Sequence, residues 1–172
     1  MSIIKLKIIG GGQTGADQAG WRAAKRFGLE TGGWMPKGFL TEEGKRPEFA
    51  ELYGAKEHKS ASYVPRRRLN IEESDATIIF AIDPKSPGSM KTVEEAYELE
   101  KPNITIKVYG DPGKQNRIEA LAGIWLSEVK PKVINIAGNR ESKFPGVGDW
   151  TEKHLAALFR HLGFKEIGRE DE

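Results

Sequence analysis

Gly10-Gly11-Gly12-Gln13-Thr14-Gly15-Ala16-Asp17 decides how this chain is read. It follows the apolar run Ile3-Ile4-Lys5-Leu6-Lys7-Ile8-Ile9 and opens the run from Ala16 to Phe27. A β-branched stretch, a glycine turn and small apolar residues at helical spacing read as strand, loop and helix. Isoleucine and leucine fill most of the first run, which makes it a central strand. Ala16, Ala19, Gly20, Ala23 and Phe27 share one helix face, with Gly28 as its stop. Thr14 is expected to cap that helix, with Asp17 completing a short-armed capping box. Strand, glycine loop and helix together form an anion-binding layout, because the backbone can approach a ligand and the helix start favours negative charge.

Working outward, Thr31-Gly32-Gly33-Trp34-Met35 reads as a second strand leading into the loop Pro36-Lys37-Gly38. Residues 37–60 lack periodicity, apart from a helical turn expected at Glu48 to Leu52. Ser62 to Glu73 reads as a helix with Pro65 in its first turn. Ala76 to Ile82 is a strongly apolar strand, Asp83 to Thr92 a loop, and the next helix carries Val93, Ala96, Tyr97 and Leu99. Ile104 to Tyr109 is a further strand, and Gln115 to Val129 a helix through Ile118, Leu121, Ala122 and Trp125. Lys132 to Ala137 is the last strand and Gly138 to Gly146 a polar loop. Trp150 to Leu162 forms the closing helix, its apolar side formed by Leu155, Leu158, Phe159 and Leu162. Strands alternating with helices imply parallel pairing through right-handed crossovers, hence an open α/β sandwich. One domain is expected over residues 1–165, with a frayed tail over 166–172. In such sheets ligands bind at the carboxyl ends of the strands, where the loops 10–17, 83–92 and 138–146 all fall.

Composition narrows the function. The 172 residues include no cysteine, which excludes disulfides, thiolate metal sites, structural zinc and a cysteine nucleophile. A formal charge of +2, from 27 basic and 25 acidic residues, gives no reason to expect nucleic acid as a partner. The apolar runs are too short for a membrane span and no signal-peptide core opens the chain, so a cytoplasmic protein without a membrane partner is expected.

The motifs narrow it further. Gly10-x-Gly12-x-x-Gly15 meets the dinucleotide pattern, but Glu30 precedes the second strand and Met35 ends it, where an acidic residue belongs, so NAD is not expected. Ala16 and Asp17 stand where a P-loop needs Lys and Ser or Thr. An anion cradle remains, built on Gly11, Gly12, Gln13, Thr14 and Gly15. A carboxylate so close to a phosphate repels it unless turned back onto amides, the expected role for Asp17, or bridged by a metal. The side chains of Arg66-Arg67-Arg68 fan over about 200°, so one or two can face a ligand. Asn70 lies one turn beyond Arg66 on the same face. In Pro87-Gly88-Ser89-x-x-Thr92 the hydroxyls serve either as helix caps or as phosphate ligands. His58, His154 and His161 lack metal-ligand spacing and read as surface or packing residues; Trp21, Trp34, Trp125 and Trp150 read as core.

Two resemblances rest on these residues. Gly10 to Gly15, Arg66 and Pro87-Gly88-Ser89-Met90-Lys91-Thr92-Val93-Glu94-Glu95 resemble the Rossmann-like superfamily that includes the lysine-decarboxylase-like phosphoribohydrolases, with Ser89 and Lys91 replacing two glycines of its Pro-Gly-Gly-x-Gly-Thr-x-x-Glu motif. A closer resemblance, to the molybdenum carrier family, runs through Gly11 to Asp17, Thr31 to Gly38, Arg66 to Asp75 and Asn135 to Ser142. It implies a Rossmann-like three-layer sandwich with a mainly parallel sheet, and a homo-oligomeric carrier of a phosphate-bearing small molecule with molybdenum cofactor as cargo. The phosphate is then expected on Gly11, Gly12, Gln13, Thr14 and Gly15, assisted by Gly88, Ser89 and Thr92, with Arg66, Asn70 and Arg140 alongside. Lys37 and Arg140 alternatively face a molybdate group. The looser resemblance implies a hydrolase of nucleoside monophosphates, with Glu95 in catalysis and Arg66 placing the phosphate, or a nucleotide sensor without turnover.

Overall fold

The structure, a computed structural model, describes residues 5–108 and 112–167. In chain order the elements are β1 (Lys7–Gly10), α1 (Ala16–Arg26), β2 (Glu30–Met35), β3 (Leu40–Thr41), β4 (Gly44–Lys45), α2 (Phe49–Tyr53) and β5 (Ala55–Glu57). There follow α3 (Tyr63–Glu72), β6 (Ala76–Ala81), α4 (Pro87–Glu98), β7 (Asn103–Lys107), α5 (Pro112–Val129), β8 (Val133–Gly138) and α6 (Val147–His161). Six strands form one parallel sheet in the order β5-β2-β1-β8-β6-β7, and β3 pairs with β4 in a small antiparallel hairpin. This is the expected Rossmann-like α/β arrangement.

Sequence explains the packing. Every residue of β6 is buried, as a strand covered on both faces requires. α1 packs its alanines on the sheet, and Gly20 lets it come close: a Cβ there would lie 2.8 Å from Ile136 Cβ. Ile8, Phe80, Ile106, Ile134 and Ile136 join α1, α5 and α6 through Ala23, Leu126, Leu155 and Phe159 in the main core. A second cluster of Trp21, Met35, Phe49 and Ala55 lies at the β2–β5 side.

The strand order fixes the functional end. The chain runs from β1 outward to β2 and β5, crosses to β6 and β7, and returns to insert β8 between β1 and β6. The loops that follow β1, β6 and β8 therefore leave three neighbouring strands at their carboxyl ends.

Several boundaries differ from expectation. Gly15, not Thr14, holds the N-cap of α1, and no side chain caps it. Helix α4 starts at Pro87, so Gly88, Ser89 and Thr92 belong to its first turns and not to a loop. Tyr97 and Leu121, assigned to apolar helix faces, are 72% and 62% exposed because those helix sides meet no other element. Residues 37–60 hold β3, β4, α2 and β5; the last is only three residues long and adds an edge strand. Ile3, Ile4, Tyr109 and the tail from Gly168 lie outside the described residues. No helix among the described residues is long and apolar enough to cross a membrane.

Candidate functional site

At the carboxyl ends of β1, β8 and β6 lies a cleft of about 270 Å³. Gln13 and Asp17 line it from the first loop, Ser86 to Ser89 and Thr92 from α4, and Gly138 to Arg140 from the end of β8. Tyr63, Arg66 and Arg67 of α3 close one side, and Lys143 and Phe144 another. Asn139 ties these walls together. Its Oδ1 accepts from the amides of Ile82 (2.9 Å) and Asp83 (3.2 Å), and its Nδ2 donates to Ser86 Oγ (2.8 Å) and Ser89 Oγ (3.2 Å). Its carbonyl accepts the Ala16 amide at 3.2 Å.

The glycine loop already holds an anion, which belongs to the protein. Asp17 Oδ2 accepts from the Gln13 amide (3.3 Å) and from Arg66 Nη1 (3.2 Å). Burial pushes the Asp17 carboxyl above the ordinary carboxylate range, against the opposing pull of Arg66 and the Gln13 amide. Gln13 Oε1 accepts from the amides of Thr14 (3.0 Å) and Glu42 (2.9 Å). The amides of Gln13 and Thr14, expected to hold a phosphate, are thus satisfied internally. Gly11 is glycine for a different reason: a Cβ would lie 1.5 Å from Arg66 Nη1, so the guanidinium fills the space beside the loop. Gly12 packs on Met35 and Gly15 under the Asn139 carbonyl, both away from the cleft lining.

Two other helix starts converge here. At α6, Glu141 accepts from the amides of Gly146 (2.5 Å) and Gly148 (2.9 Å), so this end too carries an internal carboxylate. At α4 no side chain caps the start and no acidic residue occupies the first turn. Ser89 Oγ accepts from Ser86 Oγ at 3.0 Å, and Thr92 Oγ1 donates to the Gly88 carbonyl at 3.0 Å. Pro87 has no N–H and the Met90 amide donates to the Ser86 carbonyl at 3.0 Å, so the donors left at the α4 start are the Gly88 and Ser89 amides, both from residues of the cleft lining.

The charged side chains of the lining are Arg66, Arg67, Arg140 and Lys143, with Asp17 and Asp83; Arg66 is paired with Asp17 and Arg67 with Glu95. Burial pulls the Arg66 guanidinium below its ordinary value, although the Asp17 charge opposes this. Its Nε is buried without a hydrogen-bond partner, as is Gln13 Nε2. Buried donors are ordinarily satisfied, so two unpartnered donors on residues of one cleft lining stand out. The guanidinium carbons of Arg66 and Arg140 lie 5.5 and 5.7 Å from the Tyr63 ring centre, which orients both.

Of the expected site residues, Gln13, Arg66, Gly88, Ser89, Thr92 and Arg140 line the cleft. The others serve elsewhere. Thr14 Oγ1 bonds Glu42 and accepts the Glu141 amide at 3.3 Å, joining loops. Lys37 is exposed in the loop after β2 and does not line the cleft. Asn70 clamps α3 to β2, bonding the Trp34 amide (2.8 Å) and carbonyl (3.0 Å). Both oxygens of Glu95 are held by Arg67, at 2.7 and 3.0 Å, and Glu95 is 4% exposed. Arg68 pairs with Glu98 at the surface. Sequence reasoning passed over Tyr63, Asn139, Lys143 and Glu42. Arg67 was in view as one of three arginines, but its acidic partner was not.

Glu42 holds the cleft rim. Its carboxylate takes the Ser142 hydroxyl (2.5 Å) and amide (3.1 Å) and lies 4.0 Å from Arg140. Burial opposes its charge, yet the bonds from Ser142 and Thr14 and the Arg140 charge hold its carboxyl below the ordinary value. A depressed folded-state pKa contributes stability above the unfolded-state value and loses it as pH falls through the folded one. Glu42→Gln is therefore expected to destabilise the protein by about 1–3 kcal/mol at neutral pH. In urea titrations from pH 7 downward, that deficit should shrink once the pH passes below the ordinary glutamate range.

Sheet order and cleft define a Rossmann-like α/β protein with a crevice at the topological switch point of its sheet, where such sheets ordinarily bind ligands. The chain belongs to the circularly permutated YpsA SLOG family, whose sequence profile matches residues 8–159. It is similar to the protein in a 1.45 Å crystal structure described as a "putative molybdenum carrier protein" from Syntrophus aciditrophicus. The two share 33% sequence identity with a TM-score of 0.80, over 91% of this chain and 95% of that one. These findings bear out the family resemblance read from the residues. No curated protein matches the chain.

Proposed function

We propose that this protein binds and carries a phosphate-bearing small molecule, seating the phosphate at the N-terminus of α4. The uncapped α4 start, sharing one cleft lining with four cationic side chains, carries this reading. The phosphate oxygens accept from the amides near Gly88 and Ser89 and from Arg66, whose Nε has no other partner, while Gln13 Nε2 supplies a further donor. Each charge-assisted bond contributes about 1.5–3 kcal/mol. The rings of Tyr63 and Phe144 supply apolar wall for the rest of the molecule.

Carriage rather than turnover is supported by the similar structure described as a carrier and by Glu95, which both lies outside the cleft lining and is occupied by Arg67. Molybdenum cofactor is the cargo that fits the similar protein's description. Titration of the purified chain with the cofactor should give saturable binding at micromolar concentration, and no binding in that range removes the cofactor assignment. Incubation with nucleoside monophosphates should release no free base; release that disappears in Glu95→Gln would establish the hydrolase reading instead.

A further inference from the structure

We infer that Asp17 restricts the bound end of the ligand to a single phosphate: the α4 seat takes a phosphate monoester, and the glycine-loop seat beside it rejects a second phosphate. This rests on the α4 seat proposed above and adds the substrate class that the seat accepts.

A strand, glycine loop and helix of this kind ordinarily offers its amides to a phosphate. Here the Asp17 carboxylate takes that place, held by the Gln13 amide and by Arg66. It is 5% exposed, and the Arg66 guanidinium fills the space next to Gly11. A phosphate chain therefore finds the Gln13 and Thr14 amides taken and the space beside Gly11 filled, and it meets the Asp17 carboxylate. Gln13 and Asp17 line the same cleft as Gly88 and Ser89, so a diphosphate seated at α4 and extended toward β1 runs into that charge. Like charges in a partly desolvated cleft repel far more than in water. The α4 seat differs because its own amides carry no internal carboxylate, and because Gln13, a residue of the same lining and 5% exposed, has a buried amide nitrogen without a hydrogen-bond partner. At about 270 Å³ the cleft is also smaller than the usual ligand pocket, which suits one charged end of a molecule.

The test compares inorganic phosphate with pyrophosphate by calorimetric titration of the wild-type chain, Asp17→Asn and Asp17→Ala. The wild type should bind pyrophosphate no more tightly than phosphate, despite the greater charge of pyrophosphate. Asp17→Asn removes the charge and should raise the pyrophosphate-to-phosphate affinity ratio at least tenfold; Asp17→Ala opens the seat and should raise it further. A wild type that prefers pyrophosphate tenfold or more overturns the inference, as does a ratio that stays constant across folded variants. The wild-type comparison decides alone if neither variant folds. Failure of the underlying reading looks different: neither probe binds the wild type, and both proposals fall together.

Discussion

Gly138→Ala is expected to cost more than about 4 kcal/mol, enough to leave much of the protein unfolded. Gly138 ends β8 opposite Phe80 of β6, where the Asn139 amide donates to the Phe80 carbonyl at 3.1 Å. A Cβ there would lie 1.9 Å from that carbonyl oxygen and 2.8 Å from Ala16 Cβ. Both neighbours belong to rigid elements, and neither has a flexible end that can swing aside. The strands must part, and the Asn139 hydrogen bonds that fix the cleft walls go with them. Gly88→Ala is the control, because a Cβ at Gly88 meets nothing within 4 Å. In a helix this change should stabilise by up to about 1 kcal/mol. Urea unfolding of the two variants beside the wild type checks both; equal midpoints would mean that the β6–β8 approach is looser than described.

Gly88→Asp should have the second large effect, with opposite signs for stability and binding. A carboxylate in the first turn of α4 complements the helix dipole and should stabilise by about 0.3–1 kcal/mol. The same side chain places a carboxyl group at the proposed seat, as Asp17 and Glu141 do at the neighbouring helix starts. Phosphate binding should fall about 100-fold or more, a loss of about 2.8 kcal/mol. A variant that is more stable yet no longer binds cannot be dismissed as misfolded. Binding that survives unchanged would move the phosphate away from α4.

The alternation of apolar strands and helices was legible because each signal is local. β1, β6 and β8 announce themselves through stretches rich in Ile, Val or Phe, whereas Ala55-Lys56-Glu57 carries no such stretch and becomes a strand only through pairing with β2. The start of α4 was hidden by Pro87, which reads equally well as a loop residue and as a first helical position. The site was legible as a set of converging loops and as the residues Gln13, Arg66, Ser89 and Arg140. What fills each helix start was not, because it depends on partners far away in sequence. Arg66 reaches Asp17 across 49 positions and Asn139 reaches Ser86 across 53. Spacing alone showed that Asp17 conflicts with a phosphate; only the folded chain shows that the carboxylate is held by the Gln13 amide and Arg66.

The most direct test of an anion seat at α4 is native mass spectrometry of the wild-type chain and Gly88→Asp, each purified as expressed and then mixed with the ligand identified. The account predicts a phosphate-bearing small molecule bound to the wild type and absent from the variant at the same concentration. A wild type that retains no phosphate-bearing molecule, or a variant that retains it equally well, would contradict it.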